Sequence, residues 1–118
     1  MEKLVGSDTS AFVGSSSQEY KDIMSSDIDN IPLYAAIGTG VTLLANRLSH
    51  FYDLRGSSVA LDTACSSSMV ATHLGCQSIR TGESTMSLVA ASQLMLLPDA
   101  PVALSQLGFL SPDGRCYT

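Results

Sequence analysis

The sequence predicts an α/β protein with a central, largely buried sheet. Runs typical of strands and helices alternate in the order strand, helix, strand, helix, strand, and this order favours helical layers packed on a sheet. Hydrophobic residues make up 45% of the chain and charged residues 14%, a balance too apolar for a disordered segment. The length of 118 residues predicts one domain.

The charge and the hydropathy pattern exclude several classes of protein. The formal net charge is -5 and no basic stripe is present, so a nucleic-acid partner is not expected. The first residues are polar and do not form a secretory signal. The longest apolar run, "LVAASQLMLL", is far shorter than the roughly 20 residues that span a bilayer. We therefore expect no membrane association and a soluble, cytoplasmic protein.

The first strand is expected at residues 10–15, "SAFVGS", where a short apolar run ends at Gly14 in a serine-rich turn. Residues 16–37 are predicted to be mostly loop, punctuated by Pro32, with a helical turn around residues 19–24.

A helix is predicted over residues 40–52, because one apolar stripe repeats at helical period. Asp53 and Gly56 are expected to end this helix. The preceding "GTGVTL", residues 38–43, lacks the third glycine of a dinucleotide-binding motif, so we interpret it as a flexible helix start. The stripe consists of Val41, Leu44, Ala45, Leu48 and Phe51.

A second strand at 57–63 and a second helix at 66–81 follow. The serines at the start of this helix are predicted N-caps, and Gly82 is the predicted stop. Small and apolar residues occur on all sides of the helix, which predicts burial all round. Gly75 in its interior predicts the close approach of another backbone.

The third strand is expected at 86–94. A short helix or loop is predicted after Pro98 and Pro101, and "SPDG" at 111–114 is a strong turn signal.

Cys65, in "DTACSSS" at residues 62–68, lies between the second strand and the second helix. Cys76 is eleven residues further on, roughly 16 Å along a helix, which is too far for a disulfide. The chain has three cysteines but no C-x-x-C pair and no Cys/His cluster with zinc-ligand spacing. The disulfide and metal interpretations of Cys65 are therefore both weak.

The position of Cys65 is typical of a nucleophile. The unpaired N–H groups of a first helical turn stabilise a thiolate and can hold an oxyanion. A free cysteine is also commonly a buried small hydrophobe, so from the residues alone both interpretations stay open. Cys76 and Cys116 are interpreted as such buried residues.

No base for Cys65 is evident from the spacing. His73 is eight residues further along the same helix, roughly 12 Å away along the axis and beyond direct proton transfer. We interpret it as a packed helix residue, and nothing in the sequence places His50 near Cys65. Asp62 is expected to have a structural hydrogen-bonding role at the strand end.

Four stretches carry a resemblance to a known family. They are "TSAFVGS", "LLANRLSHFYDLRG", "VALDTACSSSMVATHLGCQSIRTGES" and "LGFLSPDGRCY". Together they resemble the active-site region of β-ketoacyl synthase domains, especially those of fungal highly reducing type I polyketide synthases. The resemblance covers essentially the whole chain.

The resemblance implies a thiolase-like α/β/α/β/α sandwich, usually dimeric, of which residues 1–118 would form part of the N-terminal half. Cys65 matches the acyl-accepting nucleophile, and its backbone N–H would supply part of the oxyanion hole. The implied reaction is a decarboxylative Claisen condensation with acyl and malonyl thioesters carried on the phosphopantetheine arm of an acyl carrier protein. No cofactor or metal is expected to bind directly.

The chain also departs from the family pattern. The two histidines of the H-G-T-G-T and G-H motifs are not in this sequence, and neither His50 nor His73 matches them. We therefore expect a partial domain, without the N-terminal strands and the C-terminal half, that is inactive and poorly soluble alone. The alternatives are a fatty acid ketosynthase, another thiolase-fold acyltransferase, or a non-catalytic truncated paralogue or gene-model fragment; a cysteine hydrolase is a weaker one.

Overall fold

A computed structural model describes residues 4–116. Its sheet has three parallel strands, β1 (Ser10–Gly14), β2 (Ser58–Leu61) and β3 (Ser87–Ala91), in the order β2-β1-β3. The first strand is therefore central, and it is buried along its whole length. All three predicted strands are confirmed, although β2 and β3 are shorter than expected.

The helices are α1 (Glu19–Met24), α2 (Ala35–Thr39), α3 (Leu43–Tyr52), α4 (Ser67–Arg80) and α5 (Asp99–Gln106). Helix α3 packs on β1 and β2, whereas α4 packs on β1 and β3. Side chains alternate between the faces of a strand. Ala11 and Val13 join the core cluster with Ala45 of α3, whereas Gly14 contacts α4. The sheet thus lies between two helical layers.

The region before α3 is more structured than the sequence predicted. The helical turn at 19–24 is confirmed as α1, but the expected loop also contains a 3-10 turn at Ile28–Asn30 and helix α2. The predicted long helix starts at residue 43 because Gly40 is extended, with φ -66° and ψ 121°. It ends as expected at Asp53, where φ is 51°.

Helix α4 has one buried stripe, and the prediction that it is buried all round is wrong for this chain. The buried residues, Ser67, Ala71, Gly75 and Ser78, follow helical spacing, whereas Met69 on another side is 73% exposed. Other atoms do approach Gly75 closely, but the predicted approach of another backbone is wrong, because the nearest atoms belong to side chains. A Cβ there would lie 2.7 Å from Val89 Cγ2 and 2.8 Å from Ser87 Oγ.

The remaining local signals are confirmed. The segment after Pro98 forms α5, and the Gly114 N–H donates to the Ser111 carbonyl at 3.1 Å, which closes the "SPDG" turn. Gly82 ends α4 with a φ of 75°. Tyr117, the last residue of the "LGFLSPDGRCY" motif, lies outside the described residues. Within residues 4–116, no helix combines the length and the apolar character that crossing a bilayer requires.

Candidate active site

Cys65 lies in the turn that joins β2 to α4, one residue before the N-cap Ser66, and it is exposed. The predicted junction of strand and helix start is therefore confirmed, and Cys65 is not buried. Its thiol is free, as are those of Cys76 and Cys116. These two cysteines are also exposed, so interpreting them as buried hydrophobes was wrong.

The residue before Cys65 has an unusual backbone. Ala64 adopts a φ of 55°, a left-handed conformation that costs a residue with a Cβ about 1–2 kcal/mol. Asp62 Oδ1 accepts a hydrogen bond from the Ala64 N–H at 2.8 Å. The expected structural role of Asp62 is confirmed, because this bond holds the strained residue.

The serines after Cys65 act differently from the prediction. Ser66 Oγ donates to the Thr63 carbonyl at 2.7 Å, and Ser67 Oγ donates to the Ala64 carbonyl at 2.7 Å. Ser67 Oγ also accepts from the Thr63 N–H at 2.9 Å. The N-cap Ser66 makes no side-chain bond to the helix. Both hydroxyls therefore bond residues of the preceding turn, but only that of Ser67 bonds Ala64. The predicted capping is wrong.

Gly14 fixes where α4 begins. A Cβ at this position would lie 2.8 Å from the Ser67 carbonyl carbon and 2.9 Å from its oxygen, a distance that real Cβ atoms do not reach. The end of the central strand therefore touches the backbone of the helix start. Only glycine allows this approach, and it sets the position of Cys65 relative to the sheet.

Cys65 lines an open hollow of about 340 Å³. Its walls come from the last residues of β1 and β3, from the residues that follow them, and from the turn before α4 together with the first turn of α4. The hollow therefore lies at the carboxyl edge of the parallel sheet. Open α/β sheets bind their ligands at this edge. Most of the lining side chains are small, which leaves room for a substrate. They are Gly14, Ser15, Ser16, Ala64, Ser67, Ser68, Ala91, Ser92 and Gln93.

A second hollow of about 300 Å³ adjoins the first at Ser15 and Ser92. Residues of α1, α2 and α3 line it, and its apolar contributors include Val41, Leu44 and Leu94. The hollow at the thiol is lined by small side chains, and the neighbouring hollow has a more apolar lining.

Neither histidine belongs to this site. His73 is exposed on α4, so interpreting it as a packed residue was wrong, and His50 is exposed on α3. Neither lines the hollow at Cys65. Among residues 4–116, those that line the hollow therefore include a thiol but no imidazole.

Sequence reasoning missed two parts of the site, Gly14 and Ser67. The glycine at a strand end followed by serines was read only as a turn signal. The role of Ser67 depends on the left-handed backbone at Ala64, which a sequence does not show for a residue other than glycine.

The family is established by comparison with known proteins. Residues 1–118 match the family model described as "Beta-ketoacyl synthase, N-terminal domain". The chain belongs to the β-ketoacyl synthase family, and the predicted resemblance is confirmed.

Curated relatives give a narrower class. The chain is 52% identical over 115 residues to the highly reducing polyketide synthase sor1 of Hypocrea jecorina (strain QM6a), covering 98% of this chain and 4% of that protein. It is 50% identical over 115 residues to the compactin diketide synthase mlcB of Penicillium citrinum, again covering 98% and 4%. The chain is thus ketosynthase sequence of the polyketide synthase type, and it spans a small part of these proteins.

Solved structures confirm the thiolase-like fold. The ketosynthase from module 6 of the bacillaene synthase from Bacillus subtilis 168 matches with a TM-score of 0.83 and 32% identity, over 98% of this chain and 18% of that one. An oxazolomycin ketosynthase domain from Streptomyces albus JA3453 matches with a TM-score of 0.79 and 36% identity, over 98% and 20%. This chain corresponds to about a fifth of such a domain.

Proposed function

We propose that the chain is the active-site region of a polyketide synthase ketosynthase and that Cys65 is its acyl-accepting nucleophile. The observation that carries this proposal is the position of Cys65, exposed in a hollow at the carboxyl edge of the sheet and directly before α4. Membership of the β-ketoacyl synthase family supports the assignment of acyl-transfer chemistry to this thiol.

In the proposed reaction, the Cys65 thiolate attacks the carbonyl carbon of an acyl chain held as a thioester on a carrier protein. A new S–C bond forms and the phosphopantetheine thiol leaves. The backbone N–H of Cys65 supplies part of the oxyanion hole. A malonyl thioester then loses CO2, and its carbanion attacks the Cys65 acyl group. The Cys65 S–C bond breaks, and the carrier holds a β-ketoacyl chain two carbons longer.

We propose that proton handling and the delivery of the thioesters depend on groups outside this chain. The family pattern has two histidines in its H-G-T-G-T and G-H motifs, and we propose that they handle protons; neither His50 nor His73 matches them or lines the hollow. We propose that an acyl carrier protein delivers both thioesters, that the complete protein is a homodimer and that no cofactor binds here directly. Three free cysteines fit a reducing compartment, so the cytoplasm is the proposed location.

The proposed polyketide synthase and its two alternatives, a fatty acid ketosynthase and a truncated relative, predict three different gene contexts. In a polyketide synthase, the reading frame continues to an "HGTGT" motif and to acyltransferase, reductase and carrier regions. A fatty acid ketosynthase shares the local motif but has different neighbours. Stop codons shortly after the segment would instead indicate a truncated, non-catalytic relative. The identities of about 50% to polyketide synthases favour the first.

The decisive experiment is acylation of the protein that carries this segment, followed by peptide mass spectrometry. After incubation with an acyl thioester, the acyl mass is expected on the Cys65 peptide. The exposed Cys76 and Cys116 are internal controls, because general thiol reactivity would label all three. A Cys65→Ala variant should lose the adduct, and a Cys76→Ala variant should keep it. An adduct on Cys76 instead, or none on Cys65, would refute the proposal.

A further inference from the structure

We propose that Asp62 and Ser67 are positioning residues for Cys65, because together they lock the left-handed turn at Ala64. This inference rests on the proposed acylation of Cys65. Neither side chain is argued to touch the substrate. Their role is to present the thiol and the backbone N–H of Cys65 in one fixed arrangement.

The backbone at Ala64 is strained. Its φ of 55° is unfavourable for alanine, so the chain would relax toward right-handed or extended conformations unless other contacts held it. Because Cys65 is the next residue, a change of the Ala64 dihedral angles would swing both the thiol and the Cys65 N–H away from the hollow.

Hydrogen bonds with Asp62 and Ser67, here called the clamp, hold Ala64 from both sides. Asp62 Oδ1 accepts from the Ala64 N–H at 2.8 Å. Ser67 Oγ donates to the Ala64 carbonyl at 2.7 Å and accepts from the Thr63 N–H at 2.9 Å. Both polar groups of the strained residue are thereby bonded to side chains.

Ser67 is itself held in place by its surroundings. Ser67 is only 5% exposed, and its backbone lies against Gly14 at the end of the central strand. The clamp is therefore anchored to the most buried strand of the sheet. Ser66 offers a matched comparison, because it is exposed and its hydroxyl bonds only Thr63.

The test compares acylation with alkylation of Cys65 in the protein that carries this segment. Acylation by a thioester needs a placed oxyanion site, whereas iodoacetamide needs only an accessible thiolate. Small misplacements of reacting groups can cost up to about a hundredfold in rate. We expect Asp62→Ala and Ser67→Ala to slow acylation about tenfold or more. Asp62→Asn, whose amide oxygen still accepts from the Ala64 N–H, should stay within about threefold of wild type, as should Ser66→Ala.

The alkylation rate, measured across pH, separates positioning from misfolding. Alkylation at equal thiolate fraction should change less than threefold in variants whose acylation falls tenfold. Wild-type acylation rates in both Asp62→Ala and Ser67→Ala would overturn the inference. So would an Asp62→Asn variant as slow as Asp62→Ala, a comparison that remains valid if Ser67→Ala fails to fold. If wild-type Cys65 is alkylated but never acylated, the proposed function fails and takes this inference with it.

Discussion

Gly14 stands where the central strand meets the start of α4, and a methyl group there would overlap backbone atoms of Ser67. The overlap cannot be relieved by rotating a flexible side chain, so the helix start must move. Such overpacking typically costs about 1–3 kcal/mol. The residue that fixes the position of the proposed nucleophile is therefore on a different element, 51 positions earlier in the sequence.

Replacing Gly14 by alanine should loosen the start of α4 and slow the acylation of Cys65. In the protein that carries the segment, hydrogen exchange of the amides in the first turn of α4 should speed up about tenfold. Gly38→Ala is the matched control, because nothing lies within 4 Å of a Cβ at that position and alanine favours a helix. Equal exchange in both variants would show that the contact at Gly14 is unimportant.

Asp27 gives a prediction for pH. A hydrogen bond from the Asn30 side chain at 2.6 Å, and a second from the Asp29 N–H, lower the pKa of Asp27 below its usual 3.8. A lowered folded-state pKa means that this contribution to stability is present above the usual value and is lost as pH falls through the folded pKa. Asn30→Ala should move the carboxyl titration upward in an NMR pH series. An unchanged midpoint would contradict this assignment.

Among the elements, β1 and α4 are joined by a cluster of buried hydroxyls. Ser84 Oγ bonds both Ser10 Oγ at 3.0 Å and Ser78 Oγ at 2.8 Å. All three serines are buried, and a buried hydroxyl deprived of its partner costs about 1–3 kcal/mol. This cluster therefore holds the end of α4 that is remote from Cys65.

Ser84→Ala should raise hydrogen exchange in β1 and in the last turn of α4 by about tenfold. The expected loss comes mainly from Ser78, since Ser10 keeps a bond to Ser87 Oγ at 3.0 Å. Ser105→Ala on the exposed side of α5 is the control and should change exchange little. A Ser84 variant with the exchange pattern of the control would mean that the cluster contributes nothing.

The helices and strands were largely predictable from the sequence, because the spacing of apolar residues and the glycines and prolines that end an element are local properties. Strand β1, helix α1 and the stop at Gly82 needed no knowledge of distant residues. The sequence did not show in the same way which faces of the helices are covered by other parts of the chain. Phe51, the last residue of the predicted apolar stripe, is 77% exposed, since covering a face depends on partners elsewhere in the protein. The thiol's location was predictable, but the strained Ala64 that presents it was not.

At the scale of the whole molecule, the chain exposes more surface than a self-contained domain. Its accessible surface is 8679 Å², whereas a folded monomer of 12.4 kDa exposes about 6,100 Å². The radius of gyration is 17.3 Å, against about 13.5 Å for a compact chain of this length. β2 and β3 are the outer strands of the sheet, so each leaves an unpaired edge among the described residues.

We predict that the 118 residues alone associate with one another and are inactive. The exposed surface is the reason for the first expectation. Large exposed side chains such as Leu33, Met69 and Phe109 lie on several elements, and apolar surface of this extent drives aggregation when nothing covers it. Sedimentation analysis should show polydisperse species, and urea should produce no cooperative transition. With acyl- and malonyl-carrier protein, turnover should equal that of a Cys65→Ala control, because no histidine is among the described residues that line the hollow at Cys65. A monodisperse species that unfolds cooperatively would contradict the first expectation. Condensation above the control would contradict the second, and it would mean that the proton-handling groups lie within this chain after all.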